Sequence, residues 1–167
     1  MKYDTVVLNG SPNRKSLSMT LAGELLDLDA AKVFKAYDMD AESCTDCGRC
    51  KRKPGCIFDT DDATKFISAL KDANTLIVVS PVHFGSLSSE TMRILSRLQT
   101  LFNGKHTRED EIPTFQTLKF ITTAGAHNKK MFEGARLTFN ILQRLFEADK
   151  AEFITLGNTD ALQNEPA

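Results

Sequence analysis

Apolar positions along this chain switch repeatedly between a strand-like run and a helical spacing. Tyr3 to Leu8 (YDTVVL) is a short run that ends at the turn pair Asn9-Gly10 and reads as a strand. Ser16 to Leu28 carries Leu17, Leu21, Leu25 and Leu28 at helical spacing. Lys32 to Tyr37 reads as a second strand. Thr60 to Lys71 returns to the helical period: Thr60 is the expected cap, Asp61 and Asp62 suit a first turn, and Ala63, Phe66, Ile67 and Leu70 share a face. Thr75 to Val79 (TLIVV) is a continuous β-rich run, the mark of a strand buried on both faces, and Ser80-Pro81-Val82 is expected to turn sharply after it. Leu87 to Phe102 predicts a helix with Thr91, Ile94, Leu95, Leu98 and Leu101 on one stripe, and residues 103–114 read as a polar loop. Leu118 to Thr123 is a fourth strand and Ala151 to Leu156 a fifth. Between them, Lys129 to Glu147 predicts a long helix with Phe132, Ala135, Phe139, Leu142 and Phe146 inward.

Alternation of this kind implies one α/β domain over residues 1–156, with a cysteine-bearing insertion at 42–58 and a tail at 157–167. The sheet is expected to be parallel, with helices on both faces. Ligands bind such sheets outside the carboxyl ends of the strands, at the switch point. Three of the strands end in small, polar or turn residues: Asn9-Gly10-Ser11, Ser80-Pro81 and Thr122-Thr123-Ala124-Gly125. Their convergence on one rim predicts a ligand site there.

Charge narrows the partners. The net charge of −1 over 167 residues argues against nucleic acid, which needs a basic face. No stretch approaches the ~20 apolar residues of a membrane span. The first residues run directly into a strand, which predicts no signal peptide and a cytoplasmic protein with reduced thiols. In that setting the cysteines stand out. All four, Cys44, Cys47, Cys50 and Cys56, fall in CTDCGRCKRKPGC, at a spacing of x2, x2 and x5. The first three follow the rhythm that lets a short loop wrap a metal centre. An iron–sulfur cluster, zinc and no metal at all remain open on spacing; structural zinc sites usually come as two separated knuckles.

The loop after the first strand, NGSPNRKSLSMT, offers Ser11, Asn13, Ser16, Ser18 and Thr20 as donors, Arg14 and Lys15 as positive charge, and a helix start. That set suits a phosphate monoester. It is neither GxxxxGK(S/T) nor GxGxxG. The plainer alternative is a polar turn with an ordinary cap. In the loop after the third strand, His83 and Phe84 present rings at the rim and Gly85 admits close backbone approach; alternatively both rings simply pack. After the fourth strand, the backbone N–H groups of Ala124 to Ala126 are placed to meet a ligand carbonyl, with Asn128 as cap and His127 beside it.

Taken together, NGSPNRKSLSMTL, CTDCGRCKRKPGCIFDTDD, SPVHFGSLSSETMRILSRL and TTAGAH, in this order, resemble the NAD(P)H-dependent FMN reductase branch of the flavodoxin-like superfamily, and within it the iron–sulfur flavoproteins. The resemblance implies a flavodoxin-like three-layer α/β/α sandwich with a five-stranded parallel sheet in the order 2-1-3-4-5. It implies that Ser11, Asn13, Ser16, Ser18, Met19 and Thr20 surround the phosphate of FMN. Pro81, Val82, His83, Phe84, Gly85 and Ser86 would edge the flavin ring and ribityl chain, and Thr123, Ala124, Gly125 and His127 would close the other side. Cys44, Cys47, Cys50 and Cys56 would be the ligands of a [4Fe-4S] cluster. The chain departs from the family at His83, where an aromatic such as Tyr is usual, and at Ser96, where an Asp usually precedes the arginine. The implied activity is reduction of flavin, a quinone or a similar acceptor by NAD(P)H, with no side chain required as acid or base and His83 or His127 as candidates to assist protonation. Two alternatives stay beside it: an electron carrier with FMN and a cluster serving a redox protein, and a zinc-stapled binding module. The resemblance also implies a homodimer or homotetramer.

Overall fold

The computed structural model describes residues 3–126 and 128–163. Five parallel strands form the sheet: β1 (Thr5–Asn9), β2 (Lys32–Lys35), β3 (Thr75–His83), β5 (Thr117–Thr123) and β6 (Lys150–Leu156), in the order β2-β1-β3-β5-β6. A two-residue strand, β4 (Ser86–Leu87), folds back antiparallel on the end of β3. With β4 set aside, this is the doubly wound order expected, and helices lie on both sides.

The period of two along the strands sorts the core. Val6, Leu8, Leu76, Val78, Leu118 and Phe120 point into the larger cluster, which includes buried side chains from α3 (Asp62–Leu70), α4 (Ser89–Leu95) and α6 (Glu133–Leu145). Val7, Ile77, Val79 and Ile121 point the other way, beneath α1 (Leu17–Leu25). Phe120 sits edge-on to Phe139 with ring centroids 5.3 Å apart, which ties β5 to α6. Among the described residues no helix is long and apolar enough to cross a membrane.

Several boundaries differ from the pattern in the sequence, each for a local reason. On α1 the buried positions are Ser18 and Ala22, and Leu25 is exposed; the small residues let the helix approach the sheet closely. Leu28 packs on the smaller core from beyond the helix end. Strand β2 stops at Lys35 and a 3₁₀ turn over Ala36–Asp38 takes Tyr37. Asp61, and not Thr60, caps α3, accepting a hydrogen bond from the Thr64 N–H at 2.9 Å. Ser80, Pro81 and Val82 do not turn: β3 runs through them to His83, with Ser80 opposite Thr122 and Pro81 opposite Thr123. The turn falls at Phe84 and Gly85, both at positive φ (50° and 78°), the two-residue hairpin geometry. Residues 103–108 are helical rather than loop, since α5 (Gln99–Arg108) continues α4 through a 3₁₀ turn at Ser96–Leu98. Within the cysteine segment there is a one-turn helix, α2 (Arg49–Arg52), and α7 (Thr159–Gln163) follows β6 in the stretch read as tail.

Candidate functional site

The carboxyl ends of β1, β3 and β5 open onto one cleft of about 490 Å³. Nine of the expected ligand residues line it: Ser11, Asn13, Ser18, Pro81, Val82, His83, Thr123, Ala124 and Gly125. Lys15, Met131, Thr159 and Asp160 also reach it. Its volume lies within the range of small-molecule and cofactor pockets.

The first loop is held in shape by its own side chains. Asn9 Oδ1 accepts from the Ser11 N–H at 3.0 Å, and Asn13 Oδ1 from the Lys15 N–H at 2.9 Å. Ser16 caps α1 by accepting from the Met19 N–H at 3.1 Å. Leu17 and Ser18 are the first residues of that helix, so their N–H groups have no intrahelical acceptor and point, with the helix dipole, toward the loop. Across the cleft floor Ser18 Oγ and Thr123 Oγ1 share a 2.7 Å hydrogen bond. Lys15 brings its positive charge to the cleft, whereas Arg14 turns away to Asp38 (3.6 Å) and the Tyr37 ring.

A buried hydroxyl network fixes this loop against the next. Ser88 Oγ donates to the Gly10 carbonyl at 2.5 Å and accepts from the Thr91 N–H; Thr91 Oγ1 donates to Ser80 Oγ at 2.9 Å, which donates to the Pro81 carbonyl. Gly10 is required here, because a Cβ on it would stand 1.6 Å from Thr91 Oγ1.

The remaining expected residues lie elsewhere. Ser16, Met19 and Thr20 stand around the helix start outside the cleft, Met19 packing on the smaller core and Thr20 donating its hydroxyl to the Ser16 carbonyl. Phe84 is fully exposed at the hairpin tip. Gly85 does admit a close approach, but to α6: a Cβ on Gly134 would stand 2.3 Å from the Gly85 carbonyl oxygen. Ser86 pairs with His83 in the same hairpin. The Ala124 N–H is taken by the Leu156 carbonyl at 2.9 Å, and Gly125 and Ala126 line the cleft beside it. His127 lies outside the described residues. Asn128 caps as expected, but a 3₁₀ turn (Lys129–Phe132), accepting from the Lys130 N–H.

A second, smaller cavity is lined by all four cysteines together with Arg97, Gln99, Thr100 and Asn103. Cys50 is buried, Cys44 and Cys56 are half-buried, and Cys47 is exposed. Cys50 Sγ accepts from Asn103 Nδ2 at 3.1 Å. The Cys44 N–H donates to Ser96 Oγ at 3.0 Å, and Arg108 donates to the Cys50 carbonyl. Arg97, 1% exposed, donates to the Glu42 carbonyl at 3.0 Å, to the Phe58 carbonyl at 2.7 Å and to Asp61. Burial pushes the Asp61 carboxyl up, but the Arg97 hydrogen bond, the Thr64 N–H and the Arg97 charge outweigh it and hold the carboxyl below its ordinary 3.8. Burial likewise pulls the Arg97 guanidinium down, and Asp61 and Cys56 together raise it above its ordinary value. The thiols are not drawn to a common point: among the described residues no three His, Cys, Asp or Glu side chains form a ready-made ion cage.

The sequence profile of the family described as NADPH-dependent FMN reductase matches residues 3–148. The chain belongs to that family. An iron–sulfur flavoprotein of Methanocaldococcus jannaschii is 26% identical over 99 residues, 56% of this chain and 51% of the relative. An iron–sulfur flavoprotein of Archaeoglobus fulgidus is 27% identical over 100 residues, 58% and 51% of the two chains. The chain thus spans about half the length of the curated relatives it matches. Among solved structures, an NAD(P)H:quinone oxidoreductase from Methanothermobacter marburgensis superposes with a TM-score of 0.66 at 16% identity, over 95% of this chain and 85% of the other. An FMN-dependent NADH-azoreductase from Bacillus anthracis superposes with a TM-score of 0.60 at 13% identity, over 96% and 92%. At these identities the two structures show a shared fold.

Membership of the FMN reductase family explains the order of the loops, and the structure adds residues the motifs did not reveal. Thr159 and Asp160 come to the cleft from α7, which follows residue 148, the last that the family profile matches. A short polar stretch after the last strand carries no signal that would have identified them. Arg97, Asn103 and Arg108 escaped notice because their targets are backbone carbonyls and a thiol far away in sequence; the doublet Ser96-Arg97 was the one visible cue.

Proposed function

We propose that the cleft binds FMN and that the chain is an NAD(P)H-dependent oxidoreductase acting on flavin, a quinone or a similar acceptor. The observation that carries this reading is the convergence of three strand-end loops on one cleft of about 490 Å³ with a capped helix start at one end. The residues fit the group. The N–H groups of Leu17 and Ser18, with Lys15 and the hydroxyls of Ser11 and Ser18, suit a phosphate dianion. Pro81, Val82 and His83 offer an edge for a planar ring on one side, and Thr123, Gly125 and Ala126 offer backbone on the other. When bound, the flavin supplies the hydride and electron chemistry. The protein's part is to hold it: the Ser80–Ser88–Thr91 network keeps the first and second loops in fixed relation, and the Ser18–Thr123 bond does the same for the first and third. His83, at the rim, is the described side chain placed to hold a proton near the ring. FMN titration of the anaerobically purified chain, followed by NADH and NADPH oxidation with a quinone acceptor, tests the reading. Absence of flavin binding would overturn it.

A second reading is favoured by the cysteine cavity: that Cys44, Cys47, Cys50 and Cys56 hold a [4Fe-4S] cluster, so that electrons pass between it, the flavin and a redox protein. The donor set fits such a centre in ligand type, although the thiols are not drawn to a common point. Four thiols line one cavity, and the Nε atoms of Arg49 and Arg97, which line it too, are buried with no hydrogen-bond partner among the described residues, leaving N–H donors uncommitted beside the thiols. Iron and acid-labile sulfide assays after anaerobic reconstitution decide between this and a flavin-only reductase. The same proposal takes the protein as cytoplasmic, where the thiols stay reduced, as a homodimer or homotetramer, and as a single domain with the insertion at 42–58.

A further inference from the structure

The cysteine segment makes most of its side-chain ties to one stretch of helix, with a further one from α3, where Thr64 donates its hydroxyl to the Phe58 carbonyl at 2.8 Å. From Ser96 to Arg108, the helix turns that follow α4 meet it at Cys44 N (Ser96), at Cys50 Sγ (the Gln99 carbonyl and Asn103), at the Lys51 carbonyl (Thr107) and at the Cys50 carbonyl (Arg108). Among these residues Arg97 alone reaches both arms. Its NH1 donates to the Glu42 carbonyl on the way in, and its NH2 donates to the Phe58 carbonyl on the way out, with Asp61 held by both nitrogens. Its side chain has no exposed surface, its guanidinium lies 5.2 Å from the Phe58 ring centroid, and its Nε is buried without a partner. Asp61 already pairs with this guanidinium and Cys56 lies near it, and its uncommitted Nε–H lines the same cavity as the four thiols, where the cation is suited to stabilise their anionic form.

We propose that Arg97 is the positioning residue of the cysteine loop: it closes the loop by bridging Glu42 and Phe58, and it supplies the buried positive charge that offsets an anionic thiolate-bound centre. The charge half of this rests on the cluster reading; the closure half does not. Lysine cannot replace it fully, because a point charge cannot fork to two carbonyls and a carboxylate at once.

The test uses the full chain and three variants: Arg97→Gln, Arg97→Lys, and Arg97→Gln combined with Asp61→Asn, the last removing the carboxylate that would otherwise be buried unpaired. Amide hydrogen exchange of the metal-free protein reads closure. In both glutamine variants residues 42–58 should exchange at least about tenfold faster while the amides of β1, β3 and β5 keep their protection. After anaerobic reconstitution with ferrous iron and sulfide, iron release to a chelator should be about tenfold faster. The midpoint potential should fall, because a cation beside the reduced centre is gone. Arg97→Lys should restore the potential and leave the loop exchanging fast. Unchanged exchange at 42–58 in the double variant would overturn closure, and unchanged potential and iron retention would overturn the charge role. A wild-type chain that takes up no iron and sulfide would defeat the cluster reading and the charge role with it, and exchange alone would then decide closure.

Discussion

The cleft and the cysteine loop are built in opposite ways. The cleft follows from topology: strand ends arrive at one rim because the sheet is parallel, and short hydroxyl and backbone contacts then lock neighbouring loops together. The loop has no strand to place it. Its position is set mainly by the helix turns from Ser96 to Arg108, which hold it with hydrogen bonds to carbonyls, one amide and one thiol, and by Thr64 of α3 at the Phe58 carbonyl. The first design tolerates loss of single contacts, because the sheet remains. The second draws its two arms together through one ion pair, Arg97 with Asp61.

The largest effect should therefore come from that pair. Asp61→Ala leaves Arg97 charged and uncompensated in the interior and should cost about 3–5 kcal/mol in urea unfolding, with FMN affinity of the folded fraction little changed. If FMN affinity fell in step with stability, the two regions would not be independent. The same carboxyl gives an acid limb. Because its folded value lies below the ordinary 3.8, its contribution is complete above that value and is lost as pH falls through the lowered one. Exchange of residues 42–58 should rise on that limb, and Asp61→Asn should abolish the rise.

Gly10→Ala reverses the test. Its Cβ would meet Thr91 Oγ1, so the hydroxyl network must open, at about 1–3 kcal/mol. FMN titration should show lost affinity while the cysteine loop keeps its protection. Ser16→Ala removes the cap of α1 and should cost about 1 kcal/mol by thermal unfolding. The smallest effect belongs to Phe84. It is wholly exposed at positive φ, so Phe84→Asn should leave stability within about 0.5 kcal/mol.

Much of the cleft was legible in the chain, because continuous apolar runs such as Thr75 to Val79 identify buried strands and the residues after them must then share a rim. The order of the sheet followed from the family's motifs. What failed to show had physical causes. Pro81 looked like a stop, yet its missing N–H costs nothing where the strand's remaining partners lie on the β5 side, so β3 runs on to His83. The leucines of α1 suggested an apolar face, but a helix lying close over a sheet turns its small residues, Ser18 and Ala22, inward. Residues 103–108 looked polar and therefore loop-like; they are helical, and the polar side chains of Asn103, Thr107 and Arg108 meet the cysteine segment. Periodicity records burial of apolar groups and is silent on polar groups that are buried because something polar meets them.

The anchorage of the cysteine loop on the turns from Ser96 to Arg108 bears on how this sequence can change over time. A descendant that dropped residues 42–58 would strand Arg97 and Asn103, side chains now buried against that segment. A descendant that lost those side chains would keep a loop held by fewer contacts, those of Ser96, Thr107, Arg108 and Thr64. Because Arg97 and Arg108 meet backbone carbonyls, the identities at 42 and 58 are free to drift, whereas the presence of the segment should track Arg97, Asn103 and Arg108 among its kin, with the one side-chain pair Cys50 and Asn103 changing together.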